Sequence, residues 1–188
     1  MKCNNCGKSV GEGFGKGLGM LKHLGPLCAK CLKGVLHRRI RREFRKYPWF
    51  KPNEKVVLVK ETHPRFALLK EAFRLIIKGM PIKLKEQKIS IEKASKSYDR
   101  VIVAWTAEHE IEAFLREVFE NVPRKPEPKN LIKPLKHITN DEVALYARAK
   151  GLKMPPDKGK LKALIDRLEK KYPGTKFALL ESIEELEK

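Results

Sequence analysis

The sequence predicts an α/β protein, a parallel sheet flanked by helices, preceded by a small metal-clamped module and a basic helix. Three observations predict it. Four cysteines form two Cys-x-x-Cys pairs near the N-terminus, an arginine-crowded helix follows the second pair, and from residue 55 apolar runs alternate with amphipathic segments. At 188 residues the chain can bury one good core and a small appendage. The expected division is a metal-binding module with its basic helix over 1–50 and the α/β unit over 51–188.

Cys3-Asn4-Asn5-Cys6 and Cys28-Ala29-Lys30-Cys31 use every thiol in the chain. Two such knuckles supply the four soft ligands of a closed tetrahedral site, so Cys3, Cys6, Cys28 and Cys31 are the candidate metal ligands and zinc the expected ion. The 21 intervening residues exceed the about 15–20 of a compact ribbon, which implies a roomier loop. The rival readings are two disulfides and an iron–sulfur cluster. No secretory signal or transmembrane run is apparent, so the expectation is a reducing cytoplasm, which disfavours disulfides. His23 and His37 flank the cysteines and could replace a ligand, but four thiols make that unnecessary.

Charge is the unusual quantity. The chain carries 42 Lys and Arg against 23 Asp and Glu, a net of +19. Residues 1–50 hold 12 basic side chains against only Glu12 and Glu43. A field of this sign attracts polyanions and weakens steeply with salt, so nucleic acid is the expected partner. A membrane surface is not expected, because no basic helix carries the wide apolar face that interfacial insertion requires. A Lys/Glu-rich thermophile surface would sit nearer neutrality.

Each element has a local reason. Gly11-Glu-Gly-Phe-Gly-Lys-Gly-Leu-Gly19 places glycine at every second position; it lacks the Gly-Lys-Ser/Thr of a Walker loop and reads as a pliable hairpin tip, or as backbone that could approach RNA phosphate. Leu32, Leu36, Ile40, Phe44 and Tyr47 form one stripe of a helix over 32–47. Arg38, Arg39, Arg41, Arg42, Arg45 and Lys46 fill the rest of its circumference, and they are the candidate RNA-binding residues. Like charges at i,i+4 repel, and the planar guanidinium suits phosphate. Pro48 ends the helix, and Trp49, Phe50 and Pro52 make a stiff connection.

Lys55–Val59 reads as a buried parallel strand. Thr62 is the expected cap of a helix with Pro64 in its first turn and Phe66, Leu69, Phe73, Ile76 and Ile77 inward. Ile82–Lys85 reads as a short strand, Ser90 as the cap of a helix to Tyr98, and Arg100–Trp105 as another buried strand. Thr106 caps a helix with Ile111, Leu115, Val118 and Phe119 expected inward. Pro123, Pro126, Pro128 and Pro134 mark a surface loop or tether. Thr139-Asn-Asp-Glu142 is a capping box opening a helix to Lys150, which Gly151 closes. Leu161, Leu164, Ile165 and Leu168 define the next helix, and an acidic one begins near Phe177.

In this order the segments resemble the PP-loop tRNA thiolation proteins. The likeness is carried by the cysteine pairs, Lys46–Val59, Asp99–His109, Ile132–Leu135 with Glu142–Gly151, and Tyr172–Phe177. It implies a reduced PP-loop sheet of the adenine nucleotide alpha hydrolase-like kind. In that family a Ser-Gly-Gly-x-Asp-Ser loop after the first strand binds ATP phosphates. Here the stretch reads Lys60-Glu-Thr-His-Pro-Arg65, with no glycine, a repelling Glu61 and a Pro64 without an N–H. Paired aspartates of the family are replaced by Glu108-His109-Glu110, and central cysteines are missing.

The resemblance therefore implies a degenerate member, similar to the non-catalytic second subunit of the cytoplasmic tRNA 2-thiolation complex. It would bind tRNA and zinc and form a hetero-oligomer with a catalytic PP-loop paralogue, with no catalytic or cofactor-binding residue assigned. Two alternatives stay open: an ATP-dependent tRNA sulfurtransferase with an altered phosphate loop, and a zinc-ribbon nucleic-acid binder unrelated to thiolation. Residual chemistry would fall to His63 and His109 at strand ends, with Glu108 or Glu110, as a general-base pair.

Overall fold

A computed structural model describes residues 2–10, 25–155 and 159–186. The glycine-rich stretch Gly11–Gly19 and His23 lie outside the described residues. Helix α1 (Ala29–Phe44) follows the second cysteine pair, beginning earlier than its apolar period suggests because Cys28 is its N-cap. There follow strand β1 (Lys55–Val59), helix α2 (Pro64–Ile76), strand β2 (Lys83–Gln87) and helix α3 (Ile91–Ser97). Strand β3 (Arg100–Ile102), helix α4 (Ala107–Glu120) and strand β4 (Leu131–Ile132) complete the sheet. Helices α5 (Asn140–Ala149), α6 (Lys160–Lys171) and α7 (Thr175–Leu186) close the fold.

The four strands are all parallel, in the order β2-β1-β3-β4. Val57 pairs with Lys85 on one side and Val101 on the other, and Val101 pairs in turn with Leu131. The two-residue period of a strand divides the apolar runs between two faces. Val56, Leu58, Ile102 and Ile132 join the main core with α1, α2 and α5, while Val57, Val101 and Leu131 pack on Ala94 of α3. A third cluster joins Ile111 and Leu115 of α4 to Ile165 and Ile183 of α6 and α7. Strand β2 is the polar edge, with Lys83, Lys85 and Gln87 exposed, as suits a strand that must not pair further.

The basic helix is built into the sheet's core. Leu32, Leu36, Ile40 and Phe44 lie in one cluster with Val56, Leu58, Phe73 and Tyr146. Four expectations are corrected. His63, not Thr62, is the N-cap of α2, its ring accepting the Arg65 backbone N–H. The proline-rich stretch contains strand β4, whose Leu131 and Ile132 are both buried. Val118 and Phe119 of α4 face outward, at 56% and 65% exposure, because the buried arc of α4 ends at Leu115. Leu164 of α6 is exposed as well, its neighbour Ile165 taking the core position. The Thr139 box and the Thr106 and Ser90 caps stand as the sequence implies. Among the described residues, no helix is long and apolar enough to cross a membrane.

Candidate metal centre and nucleic-acid interface

The first knuckle is a tight turn. Gly7 N–H donates to the Cys3 carbonyl and Cys3 N–H to the Lys8 carbonyl, both at 2.9 Å, while Lys2 and Ser9 form an antiparallel bridge. Asn4 N–H donates to the Pro26 carbonyl at 2.9 Å, tying this turn to the approach of the second knuckle. Gly25 sits there with φ +63°, and a side chain at that position would run into Asn4. The second knuckle is the first turn of α1: Cys28 is the N-cap, and its carbonyl accepts the Leu32 N–H at 2.9 Å.

All four Sγ atoms lie within 4.8 Å of one another, and Cys6 Sγ stands 3.8 Å from Cys28 Sγ. A single tetrahedral ion with metal–sulfur bonds of about 2.3 Å sets its sulfurs about 3.8 Å apart. A four-iron cluster holds each thiolate outside a different iron and spreads them wider. The donor set therefore fits one tetrahedral ion. Local fields prepare the thiols unequally. The Cys28 backbone N–H, helped by those of Asn5 and Cys6 and opposed by burial, brings Cys3 down to about 6. The Cys31 backbone N–H lowers Cys28 in the same way. Asn5 favours the Cys31 thiolate, but burial and the three other thiols prevail and push it up to about 11. Negative charge at this end of α1 and cations at its other end both complement the helix dipole. Among the described residues, the candidate metal group is the four cysteines alone, and His37 is not part of it.

The six candidate cations, four in α1 and two just past its end, separate into two sets. Arg38, Arg41, Arg42 and Arg45 recur at i, i+3, i+4 and i+7, so they share one stripe, about 10 Å long at 1.5 Å per residue. All four are exposed, and none has an ion-pair partner among the described residues. Arg39 lies about a quarter-turn away, at the edge of the buried arc. Its guanidinium donates to the Glu142 carboxylate and to the His137 carbonyl, and it stands 5.4 Å from the centre of the Phe177 ring. Lys46 pairs with Glu43 at 2.9 Å and lies 3.3 Å from His137 Nε2. Thus Arg39 is committed to the interior and Lys46 is partly neutralised.

The turn after β1 has little left for a phosphate. In the first turn of α2, Pro64 has no N–H, the Arg65 N–H donates to His63 Nδ1 at 3.3 Å, and the Phe66 N–H to the His63 carbonyl at 3.0 Å. Arg65 also donates through Nε and Nη2 to Glu61 at 2.9 and 2.6 Å.

At the end of β3, His109 Nδ1 accepts the Thr106 N–H at 3.1 Å, and its ring stacks on Trp105 at 6.0 Å. His63 and His109 therefore both act as helix caps. Glu108 is buried, accepting the Asn140 N–H and lying 3.0 Å from Lys176 Nζ. Burial opposes the Lys176 charge, but Glu108, Asp141 and Asp166 surround it and raise its pKa. Lys133, just past β4, bridges Glu110 and Glu127 at 2.8 and 2.7 Å and lies over the Trp105 ring. Sequence reasoning passed over both lysines, since nothing local distinguishes them from surface lysines.

No family model matches the chain, and no curated protein matches it. Among solved structures it is similar to the U34-tRNA thiolase NcsA from Methanococcus maripaludis, a structure described with its [4Fe-4S] cluster. The TM-score is 0.73 at 17% identity, over 99% of this chain and 87% of that one, so the cysteine module, α1 and the sheet all fall within the match. The four-stranded parallel sheet with flanking helices, joined to an N-terminal cysteine cluster, is the fold that this chain shares with that structure.

Proposed function

We propose that this chain is a non-catalytic, RNA-holding subunit of a tRNA wobble-uridine 2-thiolation system, with zinc at Cys3, Cys6, Cys28 and Cys31 and a catalytic PP-loop paralogue as its partner. The observation that carries the reading is the stripe of Arg38, Arg41, Arg42 and Arg45, four exposed guanidinium groups without a carboxylate among them. Such a stripe contacts phosphate without reading bases, as recognition of a folded RNA by shape requires. The sulfur spacing supports one zinc ion, and four thiols kept as ligands suit a reducing cytoplasm. The likeness to a U34-tRNA thiolase makes tRNA the favoured RNA.

The zinc module would be structural. It fixes the first turn of α1, and α1 in turn holds the arginines at one azimuth relative to the sheet. Glu61, Pro64 and the two occupied N–H groups argue against an adenylating step at the β1 turn. The likeness to an enzyme favours a second reading, an ATP-dependent tRNA sulfurtransferase with an altered phosphate loop.

Two measurements test the proposal, and the second separates the readings. Charge reversal at Arg38, Arg41, Arg42 and Arg45 should weaken tRNA binding uniformly across sequences; unchanged affinity would remove the RNA-holding role. Titration with ATP and magnesium in a calorimeter should give no binding heat, and saturable heat lost on changing the residues of 61–65 would establish the second reading.

A further inference from the structure

Where α1 ends, a cavity of about 300 Å³ opens between its last turn and the segment that follows. That volume lies at the small end of ligand pockets, enough for one planar group. Arg41 and Arg45 stand on one side, and Tyr47, Trp49, Phe50 and Leu75 supply the remaining wall. Trp49 is 68% exposed although it is the largest apolar side chain available, and Leu75 beside it is 52% exposed. The base of the cavity is stiff. Phe44, Phe50 and Phe73 pack ring against ring, with centroids 5.3 to 6.4 Å apart, and Phe73 is fully buried. Pro48 precedes Trp49 and restricts the backbone leading into it. No carboxylate lines the cavity, and neither arginine has an ion-pair partner among the described residues.

An aromatic face beside two unneutralised guanidinium groups is complementary to a nucleotide, a planar π-system joined to an anion. A second copy of this chain is a poor occupant, because two chains of net charge +19 repel. We propose that this cavity receives one unpaired nucleotide of the RNA lying along α1. Its base stacks on the Trp49 indole, and its phosphate is held by Arg41 and Arg45. The inference rests on the RNA-holding reading and adds selectivity to it: α1 engages duplex and single strand alike through phosphate, whereas the cavity accepts only a base released from pairing. Within a helical RNA each base face is covered by its neighbours, so the cavity favours a junction of duplex with single strand.

The test compares a short unstructured RNA with a blunt RNA duplex of equal charge, each labelled and titrated with the full chain by fluorescence anisotropy. Trp49→Ala should weaken the single strand about tenfold and leave the duplex within about twofold, while Trp49→Phe keeps most of the single-strand affinity. A second readout uses Trp105→Phe, which leaves Trp49 as the sole indole of the two in the chain. Its emission should be quenched saturably by the single strand and not by the duplex.

Unchanged single-strand affinity in Trp49→Ala would overturn the inference and leave the RNA-holding reading intact, as would equal loss on both RNAs. Failure of the unaltered chain to bind either RNA removes both. Self-association that Trp49→Ala abolishes, with RNA affinity unaltered, would assign the cavity to a second copy and overturn the inference.

Discussion

Replacing Arg39 by leucine should destabilise the fold without weakening RNA binding, the reverse of what is expected at its sequence neighbours. The change removes the guanidinium from a Glu142 carboxylate whose side chain is 0% exposed, and it also removes the donor to the His137 carbonyl. Breaking a buried pair from one side costs about 3–5 kcal/mol, because a charge is left in a low-dielectric site. Two features place this pair at the low end. Arg39 retains 18% exposure, and Glu142 still accepts the Thr139 N–H at 2.9 Å within its capping box. About 3 kcal/mol in a chain of this length lowers Tm by about 6–12 °C. Scanning calorimetry of Arg39→Leu beside Arg38→Leu and Arg42→Leu makes the comparison, since exposed replacements should stay within about 0.5 kcal/mol. Adding Glu142→Gln to Arg39→Leu should recover much of the loss, because it removes the stranded charge while keeping an oxygen for the cap. The reasoning fails if Arg39→Leu melts with the unaltered chain and its RNA affinity drops as much as that of Arg42→Leu.

Replacing Arg38, Arg41, Arg42 and Arg45 by glutamine should flatten the slope of log K against log salt by about three, from four phosphate contacts at about 0.7–0.9 each; a slope unchanged to within one contact rejects the interface. Elemental analysis should find one zinc per chain, lost in Cys28→Ser together with part of the thermal stability; several irons with acid-labile sulfide would establish a cluster instead. Glu71 gives a pH signature. Burial would raise its carboxyl, but Lys33, Tyr146 and Lys150 hold it down to about 2 from 4.5. A depressed carboxylate stabilises the fold above its unfolded pKa, and that contribution is lost as pH falls from about 4.5 towards 2. Denaturant unfolding between neutral pH and pH 3 should therefore show a shallower acid decline in Glu71→Gln, and identical declines would place Glu71 outside the linkage.

The elements that sequence reasoning located were those whose signal is local. Val56–Leu58 and Val101–Ile102 are short apolar runs that only a strand covered on both faces explains, and Thr106, Thr139 and Ser90 sit at helix starts for hydrogen bonds made within three residues. Strand β4 escaped because two residues carry no period, and its identity depends on pairing with β3 some thirty residues earlier in the chain. The grouping of the four cysteines was legible from spacing alone. Arg39 was not separable from Arg38, since the side chain that claims it lies 103 residues away. Trp49 read as part of a stiff connection for the same reason: Leu75, which completes the cavity, comes from the end of α2. His63 displaced Thr62 as the cap because Pro64 takes the first helical position and the residue before it supplies the acceptor.

The apolar edge of α1 is embedded in the same core as the central strands, so the arginine stripe cannot swing independently of the sheet. An RNA docked there would arrive with its bearing already set, and no domain closure would be needed to aim it. Spin labels placed on α1 and on the β2 edge should accordingly report one constant distance, whether or not RNA is bound.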